Sequence, residues 1–309
     1  MVEKETLTKG KVIGSTGGLY RVYQSSGERV FCKPRGKFRH EKLRVLVGDN
    51  VGLYEDEGGN LCIDEVLLRK NELLRPRISN IDKLFVVAAA SSPAPVYLNI
   101  DKLTAICEQN RIEPLIVITK SDLSSESAEK LRSVYSKTGY RVLTASGFSG
   151  QGLEELRAYI GAECRGQTIG FAGASGVGKS TLLNGLFPSL SLETQSVSRK
   201  IERGRHTTRS VELFPLCELT GGKVDGFIAD TPGFSLLDFE NFDFFSLEDL
   251  PENFPEFRPY LGKCRYTKCT HRKEEGCAIL EKMREGSIAA ERVNSYTELY
   301  AQLKDKRFS

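Results

Sequence analysis

The sequence predicts a multidomain α/β protein. It has a small N-terminal β-barrel, a mainly parallel sheet built around a phosphate-binding loop, and a C-terminal helical module closed around a metal. Three observations predict this. Residues 1–72 read as short strands broken by glycine turns. Residues 73–235 alternate apolar strands with helical spacing and contain Gly173-Ala174-Ser175-Gly176-Val177-Gly178-Lys179-Ser180, of the form G-x-x-x-x-G-K-S. Residues 236–309 bring three cysteines and one histidine into a short polar stretch.

A chain of 309 residues exceeds one small domain. Its 39% apolar and 28% charged content is ordinary for a soluble protein. No apolar run approaches the roughly 18 residues a membrane span needs, and the N-terminus lacks a signal-peptide core, so a cytoplasmic location is expected. The net charge of +3 hides a division. Residues 1–75 carry 14 Lys and Arg against 11 Asp and Glu, residues 76–250 carry 18 against 21, and residues 251–309 carry 12 against 9. Both flanks are mildly basic, which suits ends that touch a polyanion. Cys32, Cys62, Cys107, Cys164 and Cys217 are scattered among apolar neighbours and are expected in the core.

In the first module, Gly17-Gly18, Ser26-Gly27 and Gly58-Gly59-Asn60 separate strand-like runs. The pattern fits an OB-type or an SH3-like barrel equally. Lys33-Pro34-Arg35-Gly36-Lys37-Phe38-Arg39-His40 concentrates cations around an aromatic. It reads as an RNA groove or as a solvated basic loop.

In the second module, Ile81 to Ala89 and Leu115 to Ile118 are continuous apolar runs, as expected of strands covered on both faces. The second ends at Thr119-Lys120-Ser121-Asp122, similar to the guanine motif N-K-x-D. Guanine presents two adjacent donors, which one carboxylate, Asp122, can accept; adenine has no donor at N1. The stem of Lys120 can lie along the base. Thr144-Ala145-Ser146 follows the next strand, and the Ala145 N–H is expected to meet guanine O6.

The phosphate loop joins Thr168–Ala172 to a helix starting near Thr181. Its backbone N–H groups and helix N-terminus would hold the phosphates. Lys179 would reach the β- and γ-phosphates, and the Ser180 hydroxyl would ligate Mg²⁺. Gly204-Arg205-His206-Thr207-Thr208 stands where switch I belongs, with Thr208 the favoured Mg²⁺ ligand and Thr207 the alternative. Asp230-Thr231-Pro232-Gly233 is the D-x-x-G of switch II, with Asp230 on Mg²⁺ through water and the Gly233 N–H on the γ-phosphate. Phe234 follows, where Ras-like proteins carry a glutamine that orients the attacking water. Slow unaided hydrolysis is therefore expected, with His206 the nearest candidate to assist or a purely structural switch residue. The guanine motifs precede the phosphate loop, so the core is circularly permuted. Each motif still falls at the C-terminal end of a strand, where open α/β sheets bind ligands.

Cys264, Cys269, His271 and Cys277 form the C-x4-C-x-H-x5-C pattern of a closed, structural Zn²⁺ site. Phe239, Phe242, Phe244, Phe245, Phe254 and Phe257 lie in an acidic connector before it.

The permuted order, the G-R-H-T-T and D-T-P-G-F segments and the zinc pattern resemble the bacterial small-ribosomal-subunit biogenesis GTPases of the RsgA type, along nearly the whole chain. The resemblance implies an OB-fold at 1–72, a permuted GTPase at 73–235, and a connector and zinc domain at 236–309. It implies GTP/GDP, Mg²⁺ and one structural Zn²⁺ as ligands. It implies a monomeric 30S assembly factor that binds 16S rRNA, with no membrane or DNA partner, whose GTP hydrolysis is stimulated by the subunit.

Overall fold

Five strands close on themselves at the N-terminus: β1 (Thr8–Thr16), β2 (Leu19–Gln24), β3 (Arg29–Pro34), β4 (Asn50–Glu55) and β5 (Leu61–Val66). In this computed structural model, which describes residues 8–36, 38, 43–56, 58–74, 76–190, 211–230 and 246–306, they run in the order β1-β2-β3-β5-β4. β1 pairs with both β2 and β4, and β3 pairs parallel with β5. That Greek-key closure is the OB arrangement, and it decides between the two barrels the strand pattern allowed. Gly17 and Gly18, at φ 59° and 84°, make the tight β1–β2 turn that only φ > 0 permits.

Alternation fills the barrel with Val12, Val22, Cys32, Val51, Leu53 and Ile63. Phe38 joins this core at 4% exposure, so it is not a stacking platform among the loop cations. The RNA-groove reading of that loop loses its aromatic. Lys37, Arg39 and His40 lie outside the described residues. Arg35 folds back to Asp64 at 2.6 Å and over the Tyr54 ring.

The barrel is tied to a short hairpin, β6 (Glu72–Leu74) and β7 (Arg77–Ser79), through the fully buried Asp49. Its carboxylate accepts from the Leu46 N–H, the Ser79 hydroxyl and the Arg69 guanidinium at 2.6–2.8 Å. A buried charge persists only when paired and bonded in this way.

The central sheet comprises β8 (Lys83–Ala89), β9 (Glu113–Thr119), β10 (Arg141–Thr144), β11 (Gln167–Ala172), β12 (Glu212–Pro215) and β13 (Gly226–Asp230), in the order β10-β9-β8-β11-β13-β12. β10–β9, β9–β8 and β11–β13 pair parallel, and β12–β13 pairs antiparallel. Every residue of β8 is buried, Lys83 included, and the apolar run Leu84–Ala89 reads as a strand covered on both faces. The helices are α1 (Tyr97–Gln109), α2 (Ser125–Ser136), α3 (Leu153–Glu163), α4 (Lys179–Leu186) and the short α5 (Leu216–Leu219). Ser124 caps α2, accepting from the Ser127 N–H. Strand β12 joins the sheet edge antiparallel to β13. The chain steps outward from β8 to β9 and β10, then returns with β11 on the other side of β8. That reversal makes the crevice at the strand C-termini the natural ligand site.

The C-terminal part has 3-10 turns at Leu250–Asn253 and Arg258–Tyr260, then α6 (Ala278–Arg284) and α7 (Ala290–Lys306). α7 packs on α1. The connector buries its rings: Phe254 and Phe257 stack at 5.1 Å, with Tyr296 edge-on at 5.4 and 5.2 Å. Each such ring contributes about 1.5–3 kcal/mol by leaving water. Arg292 lies wholly buried beneath them. It bonds Asp101 of α1 at 2.7 Å and Glu256 at 2.6 Å, and its guanidinium lies 4.4 Å from the Phe254 centroid. Burial disfavours its charge, but Asp101 and Glu256 outweigh that and hold it protonated well above its ordinary range.

The chain divides into two compact units, Met1–Asp82 with Cys164–Gly170 and Arg199–Phe234, and Lys83–Glu163 with Phe171–Ser198 and Ser235–Ser309. Among the described residues, no helix is long and apolar enough to cross a membrane.

Candidate nucleotide and metal sites

The phosphate loop leaves β11 and enters α4 with Gly178 at its N-cap in the left-handed region, φ 91°. Gly173 is required by space: a Cβ there would stand 2.4 Å from the Val87 carbonyl oxygen. Ser175 and Gly176 are exposed at the loop tip, and Val177 is buried beneath it. Ala174, Lys179, Ser180 and Thr181 are half-buried along the same rim.

The guanine loops are fastened to this loop by named bonds. The Thr119 hydroxyl donates to the Val177 carbonyl at 2.5 Å. Lys120, at φ 55°, sends its Nζ to the Gly176 carbonyl at 2.8 Å and to the Ser92 carbonyl. Its stem passes Gly178 closely: a Cβ there would be 3.7 Å from Lys120 Cε. Asp122 stands exposed beyond them, its position open to a base edge, while the Ser121 hydroxyl is buried. The Thr144–Gly152 turn packs on α4 through glycine. A Cβ on Gly147 would meet the Thr181 carbonyl oxygen at 2.3 Å. Thr144 accepts from Arg132 at 2.6 Å.

The Ala145 N–H donates to the Ile118 carbonyl at 2.9 Å, and the Ser146 N–H to Gln151 at 2.8 Å. In this arrangement the amide expected for guanine O6 is spent on the sheet, because Ala145 continues the β10–β9 ladder by one residue.

Asp230 is the last residue of β13, paired in register with Glu212. Gly204, Arg205, His206, Thr207 and Thr208, and Thr231, Pro232, Gly233 and Phe234, lie outside the described residues, as do Phe239, Phe242, Phe244 and Phe245.

In the C-terminal module the ligand atoms of Cys264, Cys269, His271 and Cys277 all lie within 4.8 Å of one another. A tetrahedral Zn²⁺ with ordinary bond lengths sets S···S at about 3.8 Å and S···N at about 3.6 Å. Here Cys264 and Cys277 Sγ are 3.9 Å apart, and each is 3.4–3.5 Å from His271 Nδ1. Three thiols and one imidazole thus fit the ion, with Nδ1 the ligand nitrogen. Burial pushes the Cys269 thiol up to about 12 and the His271 imidazole down.

Sequence reasoning missed Glu274. Its carboxylate accepts from the Thr270, Arg272 and Lys273 N–H groups at 3.0–3.1 Å and from the Thr270 hydroxyl. Burial raises its pKa, but these bonds outweigh that and hold it well below the usual range. Glu274 shapes the loop that presents His271. A Thr and a Glu four residues apart between two ligands was the available signal.

The comparisons accord with this geometry. Residues 66–240 match the family model described as RsgA GTPase, and residues 9–63 match that of the RsgA N-terminal domain. The chain is 41% identical to the small ribosomal subunit biogenesis GTPase RsgA of Ruminiclostridium cellulolyticum, covering 96% of this chain and 94% of that protein. It is 38% identical to the protein of that name from Alkaliphilus metalliredigens, covering 97% and 99%. The structure is similar to the crystal structure of YjeQ from Thermotoga maritima, with TM-score 0.77 and 30% identity over 96% and 99% of the two chains. It is equally similar to that of YloQ, described as a circularly permuted GTPase, with TM-score 0.76 and 31% identity over 99% and 98%. The chain belongs to the RsgA GTPase family and is a GTP hydrolase.

Proposed function

We propose that this GTPase is a late assembly factor of the small ribosomal subunit. It binds immature 30S particles with GTP, and hydrolysis drives its release. The observation that carries the nucleotide half is the fastening of Thr119 and Lys120 to Val177 and Gly176. It holds a guanine-reading carboxylate, Asp122, in fixed register with a phosphate loop. The ribosomal half is supported by the relatives' names and by the basic flanks of the sequence.

In this reading the loop amides of Gly173–Ser180 and the Thr181 turn hold the phosphates, and Lys179 neutralises the β- and γ-oxygens. Asp122 accepts the two guanine donors, Lys120 covers the base, and Thr144 braces the neighbouring turn. Mg²⁺, held by Ser180, Thr208 and Asp230, would offset charge developing on the transferred phosphoryl group. Gly233 senses that group, and His206 serves the attacking water in place of the glutamine that Phe234 replaces. The barrel (1–72) and the zinc module (236–309) grip 16S rRNA around the GTPase (73–235). The protein works as a cytoplasmic monomer, without membrane or DNA partners.

The test is GTP turnover with and without purified small subunits, using large subunits as control. Stimulation by small subunits alone is expected. Equal rates in all three conditions would refute the ribosomal role. They would favour a nucleotide-binding scaffold, the reading Phe234 otherwise suits.

A further inference from the structure

The edge of the sheet opposite the nucleotide loops carries a groove of about 400 Å³. It is formed where the chain enters β9 and β10: Arg111 to Pro114 on one side, Thr138 to Arg141 on the other, with Glu108 and the connector residue Pro255 closing it. β9 spans seven residues, so the groove lies roughly 20 Å from the phosphate loop. No step of GTP binding or hydrolysis uses it.

Its charge is decided by pairing. Four charged side chains line it, two acidic and two basic. Glu113 is paired with Lys83, and Glu108 with Arg258 at 2.6 Å; neither cation lines the groove. The Arg111 and Arg141 side chains are exposed, and their guanidinium groups have no hydrogen-bond, ion-pair or ring partner among the described residues. The acids are neutralised and the arginines are not, so the groove presents two uncompensated guanidinium groups. Arg111 is moreover held at φ 55°, a backbone region that L-residues rarely adopt. Tyr140 forms part of the groove wall, with its hydroxyl turned into the protein and sealed from solvent.

We propose that this groove is a second phosphate-binding site, taking a phosphate ester through Arg111 and Arg141. Guanidinium forks match phosphate oxygens in pairs, which is why two unpaired arginines favour this ligand over a simple halide. The volume exceeds one phosphate group and accommodates a phosphodiester segment or a small phosphorylated molecule. Occupancy would also be felt by the zinc module. The Arg292 guanidinium lies 5.9 Å from the Tyr140 ring, and Pro255 is the neighbour of Glu256, which Arg292 grips. A ligand here therefore braces the joint between GTPase core and C-terminal module, from the face away from the nucleotide.

The experiment is amide NMR titration of the full-length, zinc-loaded, GDP·Mg²⁺-bound protein at constant ionic strength, so that the phosphate loop is already occupied. One arm adds inorganic phosphate and the other a short single-stranded RNA. Chloride at matched ionic strength is the baseline. Phosphate should shift the amides of Arg111, Ile112, Gly139 and Arg141, and the double variant Arg111→Gln/Arg141→Gln should bind at least tenfold more weakly. Both positions are exposed, so the variant should fold, and its GDP affinity should be unchanged. Shifts in both arms identify an RNA backbone as the source. Shifts with phosphate alone identify a free phosphate ester. Shifts with RNA alone, no shifts in either arm, or an unweakened double variant would overturn the assignment. None of these outcomes depends on whether small subunits stimulate turnover.

Discussion

Replacing Arg292 with Met should loosen the C-terminal module from the GTPase core. The guanidinium is fully buried between two carboxylates, Asp101 at 0% and Glu256 at 9% exposure. Removing it leaves both acids buried, with Asp101 keeping a bond from the Tyr135 hydroxyl at 2.7 Å. Breaking a buried ion pair from one side destabilises by about 3–5 kcal/mol. For a cooperative unit of this size that lowers the melting temperature by about 6–20 °C. The sign of the pH dependence follows from Asp101. Burial pushes its carboxyl up, and Arg292 is the strongest influence pulling it back. Without Arg292 its folded pKa rises further above the unfolded value. Stability is then fully present only below the unfolded pKa and is lost as pH rises. The variant's deficit against wild type should widen as pH rises above the unfolded carboxylate range. The assay is differential scanning calorimetry across that rise in pH, with hydrogen exchange at residues 250–257 and 290–300 to place the loss. The triple variant Asp101→Asn/Glu256→Gln/Arg292→Met should recover much of it, since no buried charge remains. A single variant that loses less than about 1 kcal/mol, or whose deficit shrinks as pH rises, would refute the anchor.

Thr119→Val should weaken GDP binding about 2- to 13-fold, the worth of one hydrogen bond, whereas Thr119→Ser should bind normally; equal affinities by fluorescent-nucleotide titration would show that the Val177 bond is not used. Glu274→Ala should lower zinc affinity about 10- to 100-fold, as loss of a ligand-orienting partner does, read by competition with a chromophoric chelator; unchanged affinity would mean that Cys264, Cys269, His271 and Cys277 hold their loop unaided.

What was legible in the sequence was what local pattern encodes. The phosphate loop, the permuted order and the zinc spacing are short-range, and the apolar runs of β8 and β9 report burial directly. Barrel type was not legible, because it rests on the parallel pairing of Lys33 with Cys62, which no strand shows alone. Phe38 looked like a loop aromatic because a single turn carries it back into the core. The Ala145 N–H bond to Ile118 was not legible for the same reason: one extra residue of ladder decides where an N–H points. Arg292 escaped notice although it stands at helical spacing before Tyr296 and Leu299, on the apolar stripe of α7. An arginine on such a stripe signals a buried partner, but Asp101 is 191 residues away and no sequence rule finds it.

Asp122 is the residue that would distinguish guanine from other bases. Nucleotide preference of the Asp122→Asn variant, measured as competition between GDP and XDP for the zinc-loaded protein, tests it at once. The arrangement of Thr119, Lys120 and Asp122 around the phosphate loop predicts that guanine affinity falls and xanthine affinity rises, because an amide donates where the carboxylate accepted. An unchanged preference for GDP would contradict the placement of the base beside Asp122 and with it the account of the nucleotide site.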